Sequence, residues 1–103
     1  MVEGKNFEDK YIFDDEEEEA FGSTSIVRKV INKFNGEFYA VKMIDASVVK
    51  KDDIEKEISL LSSMTHENIV QVYEYFIIEP YYLIIFEWMG GGEVSITILF
   101  LVI

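Results

Sequence analysis

At 103 residues the chain can form one small domain, and half of it is hydrophobic with 15% aromatic, which excludes a disordered tail. With no cysteine it holds neither a disulfide nor a thiolate metal site. Its 20 acidic and 9 basic residues leave a net charge of −11, which repels phosphate backbones and anionic lipid, so nucleic acid and membrane surfaces are not expected partners.

In chain order, residues 1–10 carry acidic groups and no apolar core. They read as an N-terminal extension rather than a signal peptide, and a cytoplasmic location is expected. The run Asp14, Asp15, Glu16, Glu17, Glu18, Glu19 reads as a solvated approach to the first strand. Residues 20–25 (AFGSTS) are mostly small, so backbone amides there could come close to a phosphate; an ordinary turn between strands reads the same way. Residues 26–32 (IVRKVIN) are β-branched and strand-like, and Phe34-Asn35-Gly36 predicts a tight hairpin, since Asn-Gly accepts positive φ. Residues 37–45 (EFYAVKMID) resume a strand. Phe38, Ala40, Lys42 and Ile44 share one face; Tyr39, Val41 and Met43 share the other.

From Asp52 the period changes to about 3.6. Asp52 with Glu55 fits a capping box, and Ile54, Ile58 and Leu61 form an apolar stripe to about Met64. Two apolar runs, 69–78 and 81–88, flank Glu79-Pro80 and predict a second antiparallel hairpin, followed by a Met89-Gly90-Gly91-Gly92 connector. Residues 94–103 (VSITILFLVI) are uncharged, but a bilayer span needs about 20 apolar residues, so no membrane span is predicted.

The pair with the most chemical content is Lys42, on an apolar strand face, and Glu57, beside the inward stripe of the helix. A lysine in a core costs several kcal/mol unless it is paired, so a carboxylate partner is expected. The plainer alternative is that Lys42 reaches out to solvent and Glu57 is a surface charge.

These segments together resemble the small lobe of a protein kinase domain. Residues 20–27 (AFGSTSIV) resemble the glycine-rich phosphate loop, and residues 38–44 (FYAVKMI) the V-A-I-K strand. Residues 57–61 with 66–70 look like the family's C-helix and the entry to its fourth strand. Residues 83–93 look like the fifth strand and hinge, ending in the G-G-E common among serine/threonine kinases. The style is closest to the calcium/calmodulin-dependent group. The resemblance covers residues 11–93 and implies an α+β fold, a five-stranded antiparallel sheet with one main helix. It leaves residues 94–103 as an apolar tail outside the pattern.

The resemblance also implies site roles for ATP, used by the intact family with magnesium. Ala20, Gly22, Ser23 and Ser25 would form the phosphate loop, and Val27 and Ala40 the roof over adenine. Lys42 would hold the α- and β-phosphates with Glu57 fixing its ammonium. Phe86 would guard the back pocket, Glu87 and Met89 would offer hinge backbone groups to the adenine edge, and Glu93 would reach the ribose hydroxyls. Leu61 and Val72 would pack in the apolar column behind the site.

The loop departs from the pattern. Ala20 and Ser25 stand where glycines are usual, Thr24 where an aromatic is, and Glu19 where an apolar residue precedes the loop. A carboxylate beside a triphosphate costs on the order of 1 kcal/mol per pair in water, which argues for weakened binding. The catalytic-loop and D-F-G segments do not occur in the sequence, and neither do the magnesium ligands they carry. The chain therefore reads as a kinase small lobe cut off past the hinge, inactive alone. The tail is read as coding sequence run past an exon end, as a real truncated form, or, least in keeping, as an anchor. The alternative function is a non-catalytic, pseudokinase-like module that docks on another kinase or a regulatory protein.

Overall fold

The computed structural model describes residues 7–15, 20–22, 24–63 and 71–88. Strands form where β-branched and aromatic residues concentrate: β1 (Tyr11–Phe13), β2 (Ala20–Phe21), β3 (Ser25–Asn32), β4 (Phe38–Asp45), β5 (Val72–Ile78) and β6 (Tyr81–Glu87). They form one antiparallel sheet in the order β1-β3-β4-β6-β5, and β2 pairs with the other end of β3. β1 and β2 thus share the place of a single first strand. The five-stranded antiparallel arrangement expected from the sequence is present, with that first strand in two pieces.

Alternation along the central strand β4 gives the sheet two apolar faces. Ala40 and Ile44 join Val27, Ile84 and Phe86 on the face covered by α2 (Lys51–Ser63), where Ile54 and Ile58 of the helix close the cluster. Val41 joins Val30, Phe76, Leu83 and Ile85 on the opposite face, with Tyr39 and Met43 packed alongside. Lys42 lies between Ala40 and Ile44 on the strand and so points toward α2. Tyr82 ties that helix to the sheet, donating its hydroxyl proton to Glu55 at 2.5 Å.

The opposite face carries a cover that the extension reading did not anticipate. Phe7 opens α1 (Phe7–Lys10) and is only 2% exposed. Its ring stacks on Tyr11 at 5.6 Å and meets Phe76 edge-on at 5.6 Å. Glu74 of β5 fastens this segment from the side: it accepts the Tyr11 hydroxyl proton at 2.5 Å and lies 2.7 Å from Lys10 Nζ. The last four residues of the 1–10 segment are therefore docked on the sheet.

Two local expectations are corrected. The turn falls at Phe34-Asn35-Gly36 and joins antiparallel strands as expected, but it is not a tight hairpin. Gly36 has φ +73, whereas no non-glycine among the described residues has positive φ, so Asn35 stays right-handed or extended. The organiser is Asn32, whose Oδ1 accepts from the amides of Phe34 at 2.8 Å and Asn35 at 3.2 Å while its carbonyl accepts from Gly36 at 2.9 Å. An Asx turn at the strand end widened the loop to residues 33–37. Nor do Asp52 and Glu55 form a capping box. The helix begins at Lys51, the amides of Asp53 and Ile54 both reach the Lys50 carbonyl at 3.1 Å, and Asp52 and Asp53 sit in the first turn. There they complement the positive end of the helix dipole instead of capping it.

Candidate functional site: the sheet face beneath α2

The strand registers lay the predicted residues out in rows. In one row Val27 pairs with Lys42 and Lys42 with Ile84; in the next, Lys29 pairs with Ala40, Ala40 with Phe86, and Phe86 with Val72. Lys42 therefore shares one face of the sheet with Val27, Ala40 and Phe86, the residues assigned to roof and back of an adenine pocket. Lys42 is 1% exposed and Val27, Ala40 and Phe86 no more than that, so this face is closed in the structure. Burial pushes the Lys42 ammonium from its ordinary 10.5 down to about 8, because a charge away from water is disfavoured.

Glu57 lies on α2 between Ile54 and Ile58 and is half-buried, on the side of the sheet toward which Lys42 points. Ion pairs among the described residues join Lys10 to Glu74, Arg28 to Asp15, Lys29 to Asp14 and Lys51 to Glu79. Glu57 is in none of these. The structure brings the helix carboxylate and the ammonium to one side of the sheet, and no further.

Of the loop residues, Ala20, Gly22 and Ser25 lie in the β2–β3 hairpin. Ala20 pairs with Val27, Phe21 with Ile26, and the Gly22 amide donates to the Ser25 carbonyl at 2.8 Å. That amide is engaged within the turn, so a phosphate meeting this loop as it stands would not find it. Ser25 is buried, Thr24 exposed, and Phe21 70% exposed. At the far end of β6, the Glu87 amide donates to the Gln71 carbonyl at 3.0 Å and its side chain accepts from the Gln71 amide at 2.9 Å. What Glu87 could offer an adenine is thus its carbonyl. Ser23, Met89, Glu93 and the side chain of Leu61 lie outside the described residues; Val72 is buried against the α2-side cluster.

Two clefts formed by described residues lie away from Lys42. One of about 220 Å³ opens between Gly22, Ile26, Met43, Asp45, Val48 and Tyr81. Another, of about 490 Å³, lies along α2 between Glu55, Ile58, Ser62 and Tyr75. Among the described residues, no three histidines or carboxylates converge as a metal site, and no helix is long and apolar enough to cross a membrane.

Sequence reasoning missed a cluster at the hinge end of the Lys42 face. Lys29 Nζ sits 3.9 Å from the centre of the Phe38 ring, 4.8 Å from that of Trp88 and 3.6 Å from Asp14 Oδ2. The alternation of Lys29 with Val27 puts it on that face, but only the β3–β4 register brings Phe38 beside it.

Comparison with known proteins agrees with this geometry. The protein kinase domain family matches residues 15–100. The chain is 33% identical over 72 residues to the serine/threonine-protein kinase SRK2F of Arabidopsis thaliana, covering 70% of this chain and 21% of that protein. It is 37% identical over 60 residues to calcium/calmodulin-dependent protein kinase type 1 of Caenorhabditis briggsae, covering 56% of this chain and 17% of the relative. The solved structure of titin kinase and its flanking domains superposes with a TM-score of 0.75 at 27% identity, over 87% of this chain and 16% of that one. The chain belongs to the protein kinase domain family and corresponds to the N-terminal lobe of a serine/threonine kinase domain. It spans about a fifth of the length of these relatives.

Proposed function

We propose that this lobe binds ATP on the sheet face beneath α2, as the nucleotide-holding part of a serine/threonine phosphotransferase. The observation that carries the reading is Lys42, a buried lysine flanked by Val27 and Ile84 and one row from Ala40 and Phe86. A lysine on that apolar face suits a triphosphate held beside an apolar roof. Val27 and Ala40 would cover adenine, the Glu87 carbonyl and the Met89 backbone would meet its edge, Phe86 would close the back, and Glu93 would reach the ribose. Lys42 would take the α- and β-phosphates, and Glu57, already on that side, would close on the ammonium as nucleotide enters. Ala20, Gly22, Ser23 and Ser25 would follow the phosphates. Magnesium would arrive with the nucleotide and neutralise its charge.

Because the face is closed, binding carries an opening cost that lowers apparent affinity. The 103 residues lack both the catalytic loop and D-F-G, so alone they hold nucleotide without transferring its phosphoryl group. A cytoplasmic location goes with this reading. The departures at Ala20 and Ser25 and the closed face favour a second reading, a non-catalytic module that docks on another kinase or a regulatory protein.

Calorimetric titration of the folded chain with ATP, with and without magnesium, separates the two. Saturable binding is expected, weakened about tenfold or more in Lys42→Met, the reach of a charge-assisted contact to phosphate. A wild-type chain that is folded by circular dichroism yet takes up no nucleotide overturns the ATP reading and favours the docking module.

A further inference from the structure

The geometry points to Lys29 as a positioning residue that clamps the hinge end of β6 to β3 and acts on nucleotide binding through Trp88. Among the described residues, three elements meet at its ammonium. Phe38 begins β4, Trp88 directly follows β6, and Asp14 directly follows β1; the Asp14 amide also donates to the Lys29 carbonyl at 3.0 Å. The side chains of Lys29 and Asp14 are only 13% and 12% exposed, so the cation faces two rings and a carboxylate with little water between them. Cation–π attraction is strongest when desolvated in this way, and partial burial protects the ion pair from salt. Lys29 shares a row with Ala40 and Phe86, so the residue it holds, Trp88, adjoins Glu87 at the edge where adenine would be met.

A lysine used merely for solubility would extend into solvent. This one stands on the same face as the buried Val27 and makes ring contacts to residues 9 and 59 positions away in sequence. The consequence for function rests on the ATP reading above: a fixed Trp88 pre-orders the hinge backbone, and releasing it adds an ordering cost to each binding event.

Trp88 is the only tryptophan in the chain, so its fluorescence reports on the clamp without nucleotide. In the 103-residue chain, Lys29→Met is expected to raise acrylamide quenching of Trp88 about twofold or more and to weaken ATP binding roughly threefold to tenfold. Lys29→Arg, which keeps a cation over the rings, should restore most of both. Lys10→Met, which removes the Glu74 ion pair on the opposite face, should move neither. Trp88 quenching in Lys29→Met that matches the wild type overturns the clamp, and an ATP affinity no weaker than that of Lys10→Met overturns its role in nucleotide binding. If the wild-type chain takes up no ATP, the nucleotide role falls with the ATP reading, and the ligand-free quenching alone decides whether the clamp exists.

Discussion

Lys42 is an apolar-face position filled by a charge, and its cost is readable in pH. In the fold it gives up its proton at about pH 8, against 10.5 when unfolded. Below 8 both states carry the charge and the full penalty of burying it is present. Between 8 and 10.5 the unfolded chain binds more protons than the folded one, so stability rises with pH. We expect the urea-unfolding free energy of the wild type, measured against Lys42→Met, to rise by roughly 2 kcal/mol from pH 7 to pH 10. Tyr11 and Tyr82, which burial and then Glu74 and Glu55 hold in the protonated form, oppose this trend at the alkaline end but cancel in the difference. Parallel pH curves for the two proteins would show that Lys42 is solvated. The position of Lys42 was legible in sequence because a period-2 pattern places each residue on a face. The distance to Glu57 was not, because the seat of a helix on a sheet depends on packing that spacing does not encode.

Among the elements, β3 to β6 and the main helix followed from local pattern; β1 and β2 did not, and the other errors lie at ends and turns. Asn-Gly carries a strong hairpin signal, but Asn32 competes for the same amides through its own side chain, and the loop obeyed Asn32. Asp52 is a good cap, yet the turn through Val48 and Val49, whose amides both reach the Asp45 carbonyl, brings the chain into the helix at Lys51. The segment α1 escaped sequence reading because it has one apolar anchor and no periodicity. Its worth is set by tertiary contacts of Phe7 with Tyr11, Phe13 and Phe76. Phe7→Ala should lower unfolding free energy by about 3 kcal/mol, by the loss of a well-packed ring, while leaving ATP affinity unchanged since α1 and Lys42 occupy opposite faces. Urea denaturation with a parallel nucleotide titration checks both. A loss under 1 kcal/mol would mean that α1 is dispensable cover, and a coupled loss of binding would mean that the faces communicate.

For the whole molecule, what matters is that one sheet separates two apolar clusters and only the α2 side carries the buried lysine. The family resemblance was specific because four motif blocks fell in order, and the fold and relatives agree with it. Loop geometry and hinge contacts were beyond reach, since they arise from register between strands far apart in sequence. The face on which ATP docks can be read directly by methyl nuclear magnetic resonance during an ATP titration. The methyl groups of Val27, Ala40 and Ile84, on the α2 side, should shift and saturate together, while those of Val30, Val41, Leu83 and Ile85 stay in place. Saturating shifts confined to the second set, or to Ile26 and Met43 beside the 220 Å³ cleft, would contradict the assignment of the nucleotide to Lys42.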